Sequence, residues 1–301
     1  MTRARSCPRI VLTAVLGALA VATSDARLQV PLYRTATRLV VLEATVKNDR
    51  GELVTDLDRE AFRVFEDGRP QTIALFTRDD VPVSLGVLID NSGSMRSLRA
   101  KVESAALTFA RASNPRDEIF VLNFADTPRI DVPFTSDVAV LARGIARADS
   151  IGGTALRDAL RLGASYVAQG THDRKALVVI TDGRDNGSVT TLKQLTHQAE
   201  LQGVVVHGIG LTGGADAPPV TIDDLDNLAE HTGGVVYYPP TLAAIESAAT
   251  DLARQIRRRY TIAYAPANQA LDGSHRSITL KVRGAEHLEA RTRSGYIAAR
   301  Q

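Results

Sequence analysis

Between Pro82 and Arg257, continuous apolar runs alternate with segments whose apolar residues recur every three to four positions. VSLGVLID, Val83 to Asp90, has no polar alternation, the mark of a strand covered on both faces. MRSLRAKVESAALTFARAS follows, with Leu98, Val102, Ala105, Ala106 and Phe109 at helical spacing. DEIFVLNFAD reads as a strand, and VAVLARGIARAD and TALRDALRLGASYVAQG read as helices. KALVVITDG is a strand, and TLKQLTHQAELQG a helix that stops at Gly203. VVVHGIGL, a helix from Asp223 to His231, the short VVYYP and a helix from Leu242 to Arg258 complete the series. Strands alternating with helices predict an α/β fold: a doubly wound, mostly parallel sheet with helices on both faces.

The flanks follow a different rhythm. RLVVLEATVKN places Val41, Glu43, Thr45 and Lys47 on one face and Leu42, Ala44 and Val46 on the other, a strand pattern. AFRVFEDGRPQTIALFT reads as two strands joined by a hairpin at Glu66-Asp67-Gly68. After Tyr260, RYTIAYAP, RSITLKVRG and LEARTRSGYIA are three more strands. About forty residues on either side are too few to fold alone. Residues 37–79 and 259–298 are therefore expected to pair into one smaller β-sandwich-like domain, with the α/β domain, residues 81–257, inserted between them.

Composition narrows the function classes. Of 301 residues 44% are apolar and 23% charged, with a net charge of +2, which is ordinary for a globular protein and favours neither nucleic acid nor an acidic membrane as partner. Arg257-Arg258-Arg259 is a short basic run, read as a solvated helix end. At the N-terminus, Arg3, Arg5 and Arg9 precede the apolar stretch Ile10–Ala22. That stretch is too short to span a bilayer, which takes roughly 20 residues. Residues 1–26 are read as an export signal, with cleavage after Ala22 or Ala26, and a periplasmic or secreted mature chain without a membrane span. The one cysteine, Cys7, leaves with that segment, so the mature chain offers no disulfide and no thiol.

Candidate chemistry gathers at strand ends, where open α/β sheets bind their ligands. Asp90 closes the first strand of the α/β region and is followed by Ser92 and Ser94. Asp182 stands at the equivalent point after LVVIT, and between the two lies Gly152-Gly153-Thr154-Ala155-Leu156. Two carboxylates and three hydroxyls are a set of hard oxygen donors suited to Mg2+, or to Mn2+ or Ca2+. Two carboxylates only neutralise a divalent cation, which leaves it electrophilic enough to take one more anion, such as a carboxylate from another protein. Asp126 at the end of NFAD shares this edge as a candidate supporting residue. Asn91 is read as shaping the turn and Asp185 as a solvated loop residue.

DNSGS, GGTAL and TDG, in this order, resemble the metal-ion-dependent adhesion site of von Willebrand factor type A domains, over roughly Val81 to Arg257. The flanks GELVTDLDREAFRVFEDGRPQTIALF and YTIAYAP…DGSHRSITLKVR…GY are similar to those of a bacterial subfamily often called VWFA-related proteins. The resemblance implies that Ser92, Ser94 and Thr154 ligate the metal directly when ligand is bound, with Asp90 and Asp182 acting through water. It also implies an adhesion-type protein module rather than an enzyme.

The rival class is a metal-dependent hydrolase or phosphoryl-transfer enzyme with an aspartyl nucleophile. That chemistry wants a second carboxylate two residues on and a positioned lysine. Ser92 occupies that place, and Lys101 falls along the next helix. His172, His197, His207 and His231 have no metal-ligand spacing and are read as structural, His207 as a buried strand residue.

Overall fold

In the computed structural model, residues 38–147, 152–183, 185–211, 222–284 and 287–298 are described. The proposed export signal, residues 1–26, lies outside them.

The alternation in RLVVLEATVKN becomes β1 (Val40–Asn48), with Leu42, Ala44 and Val46 buried and Val41 exposed. β2 (Phe62–Glu66) and β3 (Arg69–Gln71) form a hairpin. Its two turn residues both take positive φ, Asp67 at 47° and Gly68 at 75°. That is a primed turn, whose twist matches its strands and which glycine adopts without cost. The chain then changes sheets, so that β4 (Ile73–Thr77) is a third strand where two were expected.

β5 (Val83–Asp90) is buried at every position. It lies between β6 (Glu118–Phe124) and β8 (Arg174–Thr181), parallel to both. β9 (Val204–Gly210) and the short β10 (Val236–Tyr237) extend the sheet in parallel. β7 (Pro128–Thr135) closes the other edge antiparallel to β6, giving the order β10-β9-β8-β5-β6-β7.

Helices cover both faces. α1 (Arg99–Ala112), α2 (Val138–Ile145) and α6 (Leu242–Arg257) bury Val102, Phe109, Leu141 and Leu252 against Val87, Ile89 and Val178. α3 (Leu156–Val167), α4 (Leu192–Gln202) and α5 (Asp223–Thr232) bury Leu160, Leu195 and Leu228 against Leu88, Leu177 and Val179. Successive residues of β5 and β8 thus serve opposite cores, which is why those strands read as unbroken apolar runs. The doubly wound class expected from the sequence is the one observed.

The C-terminal strands are β11 (Tyr260–Tyr264), β12 (His275–Val282), β13 (Leu288–Arg291) and β14 (Gly295–Ile297). They join the N-terminal strands in two four-stranded antiparallel sheets, β13-β1-β11-β4 and β14-β12-β2-β3. Phe62, Leu42, Tyr260 and Ile278 share the core between them. Buried Glu66 accepts the hydroxyls of Tyr264 at 2.7 Å and Tyr296 at 3.0 Å, one from each sheet. LEARTRSGYIA is therefore two strands in different sheets, not one.

The basic run is solvated only in part. Arg258 is exposed, but Arg259 is 5% exposed. It lies 2.5 Å from Nε2 of buried His207, at the junction of α6 and β11. Arg257 reaches Asp80. The basic run marks the packed junction between α6 and β11.

Candidate metal centre

Three loops meet at the carboxyl ends of β5, β6 and β8. In the first, Asp90 is fully buried. One of its oxygens accepts the Ser92 N–H at 2.8 Å and the other the Thr181 hydroxyl at 2.5 Å. Ser92 opens a 3-10 turn, Gly93–Leu98, that leads into α1. The Ser92 and Ser94 hydroxyls lie 3.1 Å apart, and Ser94 Oγ donates to Asp182 Oδ1 at 3.0 Å. Four of the five expected residues are thus joined directly across 92 positions of sequence.

Thr154 is the fifth. It lies beside the Asp182-Gly183 turn, its Oγ1 3.7 Å from where a Cβ on Gly183 would stand. Although the residue is 3% exposed, its hydroxyl has no hydrogen-bond partner among the described residues. A hydroxyl left open beside the Asp182-Gly183 turn, in a set of three hydroxyls and two carboxylates, fits a cation as a further partner.

The loop carrying Thr154 is held from several sides. Gly152 has φ of +96°, a conformation open to glycine. Its carbonyl accepts the Gly93 N–H at 3.1 Å, tying the second loop to the first. Asp126 Oδ1 accepts the Gly153 N–H at 2.7 Å, so the candidate supporting residue is in contact with the loop. Asn186 Oδ1 takes the Thr154 N–H at 2.7 Å. Asn91 turns away, bonded to Asn123, Arg99 and the Arg147 carbonyl.

Asp185 corrects another expectation. Its side chain is 2% exposed, not solvated. It accepts the Arg157 N–H at 2.8 Å and the Arg157 guanidinium at 3.0 Å, and it is bonded to Ser188. It therefore pins the third loop to the start of α3. The residues not foreseen as part of the site are Thr181, which orients Asp90, and Asn186. Both lie within two and four residues of TDG's aspartate, so proximity to the motif was the available signal.

The two site carboxylates are poised for a cation. Burial raises the pKa of Asp90 above its usual value, and the nearby Asp182 carboxylate adds to that rise. Burial raises Asp182 likewise. Asp185 is the contrast, because its hydrogen bonds with Arg157 and Ser188 outweigh burial and hold it below the ordinary value of 3.8.

Asp185→Asn is accordingly expected to cost roughly 1–3 kcal/mol at neutral pH. A depressed folded-state pKa contributes stability that is complete above the unfolded value and lost as pH falls through the folded one. The gap between wild type and variant should thus be full at pH 6–7 and shrink below about pH 4. Urea unfolding at both pH values measures it, and a gap that widens in acid would contradict the assignment.

The histidines stand apart from this site in their bonding. Nδ1 of His207 accepts the Val235 N–H at 3.2 Å, and burial beside Arg259 and Lys47 keeps the ring neutral. His231 bonds the Asn227 carbonyl and His172 the Arg116 carbonyl. Among the described residues no three His, Cys, Asp or Glu side chains form a metal cluster, so any cation here depends on the hydroxyls.

Comparison with known proteins bears on the fold. An uncharacterized protein of Synechocystis sp. is 30% identical over 135 residues, covering 43% of this chain. The chain spans about a third of that relative's length, 32%. A structure of von Willebrand factor type A from Catenulispora acidiphila superposes with TM-score 0.51 at 13% identity, covering 89% of this chain and 74% of its own. Proximal thread matrix protein 1 from the mussel byssus, in a structure with a zinc-occupied MIDAS motif, gives TM-score 0.52 at 18% identity, over 64% of this chain and 50% of its own. At such identities the likeness is one of fold. The model of the von Willebrand factor type A domain matches residues 85–184, a span that holds all five candidate ligands.

Proposed function

We propose that this chain is an exported protein-binding module whose divalent cation, held by Asp90, Ser92, Ser94, Thr154 and Asp182, is the contact point for a carboxylate of a partner protein. The observation that carries this reading is the unbroken line Ser92–Ser94–Asp182, with the Thr154 hydroxyl beside the Asp182-Gly183 turn and without a hydrogen-bond partner among the described residues. The bound cation would supply Lewis acidity toward an incoming anion. The chain's own part is to hold three neutral oxygens and two carboxylates in fixed loops, so that the partner's carboxylate completes the charge.

Mg2+ is the first candidate, with Mn2+ and Ca2+ as alternatives, because every donor is a hard oxygen. The mussel structure makes Zn2+ a necessary control. A catalytic role has less support, since Ser92 replaces the second carboxylate that an aspartyl nucleophile would want and Lys101 lies on α1. Export rests on the basic and apolar order of residues 1–26. None of the described helices is long and apolar enough to cross a membrane.

The test is capture of a partner from the native envelope with Mg2+ and again with EDTA, beside phosphatase and esterase assays. Ser92→Ala and Thr154→Ala should each weaken capture at least about tenfold, ~1.4 kcal/mol, with the fold intact. Chelation should mimic them, and moderate salt should act less, because coordination is not a screened surface pair. Capture that ignores both chelator and substitutions would move the partner surface elsewhere.

A further inference from the structure

A cavity of about 840 Å3 lies at the opposite edge of the central sheet from the metal site, between the starts of β5, β8 and β9 and the outer face of the β1–β11–β4 strands. Its volume is in the range of small-molecule pockets, roughly 300–1,000 Å3. Its charged lining is unbalanced. Arg174 is matched, with Glu43 at 3.0 Å and the Thr261 hydroxyl at 2.6 Å. Arg259 is 5% exposed and has no ion-pair partner among the described residues. Its contacts are the Gln255 carbonyl at 3.4 Å and the His207 ring. Arg293 also lines the cavity without an ion pair among the described residues. It donates to the Val41 carbonyl at 2.8 Å and lies over the Tyr296 ring, and its buried Nε has no hydrogen-bond partner.

Taking a guanidinium out of water without a counter-anion costs several kcal/mol, and buried charges are normally paired. Burial is severe enough to pull the Arg259 guanidinium down to about 10. Glu43 serves Arg174 directly and acts on Arg259 and Arg293 only at longer range. Glu200 and Asp173 also line the cavity, yet among the described residues neither is ion-paired to Arg259 or Arg293, and the lining cations still outnumber the three carboxylates. The mouth of the same cavity carries Leu39, Val41 and Leu75, each more than two-fifths exposed. These are large apolar side chains left facing solvent beside a cationic interior.

We infer that this cavity binds an amphiphilic anion, a carboxylate or phosphate head seated on Arg259 and Arg293 with an aliphatic body against Leu39, Val41 and Leu75. The planar guanidinium fork suits either oxyanion, and the apolar mouth asks for more than an inorganic ion. The site is separate from the metal centre and does not depend on the function proposed for it.

Calorimetry on the full chain with decanoate and with decyl phosphate tests this, with decanol and inorganic phosphate as controls. At least one of the two amphiphiles should bind at about 1 mM or tighter, and neither control should match it. Arg293→Gln should weaken that binding at least about tenfold. Glu43→Gln, which removes the competing carboxylate, should tighten it several-fold. Circular dichroism checks that both variants fold. The opposing directions of the two substitutions separate anion recognition from general damage. Equal binding of decanol, the absence of binding by both amphiphiles, or affinities unmoved by both substitutions would overturn the proposal.

Discussion

Deleting residues 259–301 is expected to unfold the N-terminal flank. β1 lies between β11 and β13 and loses both neighbours, and β2 loses β12. The deletion also removes Tyr260, Ile262, Tyr264, Ile278 and Tyr296 from a shared core. Side chains of this size contribute roughly 1.5–3 kcal/mol each when buried. Their joint loss is comparable to the whole stability of a domain, about 5–15 kcal/mol. The α/β cores are built from other residues and should outlast the flank. Limited proteolysis followed by mass spectrometry should show residues 38–77 cut early in the truncated protein and protected in the full chain. Protection in both would mean that the flank folds without its C-terminal partner strands.

Gly152→Ala is expected to disable the metal centre while sparing the fold. A Cβ at this position would stand 2.1 Å from an Asp126 carboxylate oxygen, far inside contact distance. The backbone there has φ of +96°, where an L side chain costs roughly 1–2 kcal/mol. Relief requires the exposed Asp126 side chain to swing away or the loop to move, and either breaks the Asp126–Gly153 bond and loosens the loop that carries Thr154. Mg2+ affinity should fall at least about tenfold, while the melting temperature of the metal-free protein falls by only a few degrees, roughly 2–4 °C per kcal/mol. Unchanged Mg2+ affinity would show that Thr154 is not placed by this loop.

How much of this was legible in the sequence differs by element. VSLGVLID and LVVIT announced a parallel sheet because both of their faces are covered, and each of the five candidate ligands follows a strand end or opens a helix. β7 was missed because it is an edge strand. Pro128 and Pro133 are tolerated there, and its mixed polar pattern resembles a loop. LEARTRSGYIA hid a sheet crossing at Thr292–Ser294 that no local pattern marks. Arg259 and Asp185 were misread for one reason. A charged residue in a polar stretch looks solvated until tertiary packing supplies its neighbours, His207 for one and Arg157 for the other. The ligand types were readable from composition and spacing, but their supports, Thr181, Asn186 and Asp126, act across loops that meet only in the fold.

The central claim is that Asp90, Ser92, Ser94, Thr154 and Asp182 hold one divalent cation. Calorimetric titration of Mg2+ and Mn2+ into the wild type and Asp182→Ala tests it most directly. Asp182 receives the Ser94 hydroxyl and contributes one of two carboxylates, so its loss removes half of the site's negative charge. The wild type should bind a single ion with an affinity between roughly micromolar and millimolar, and the variant should show no binding over the same range. Equal binding by both proteins, or none by the wild type, would contradict the site.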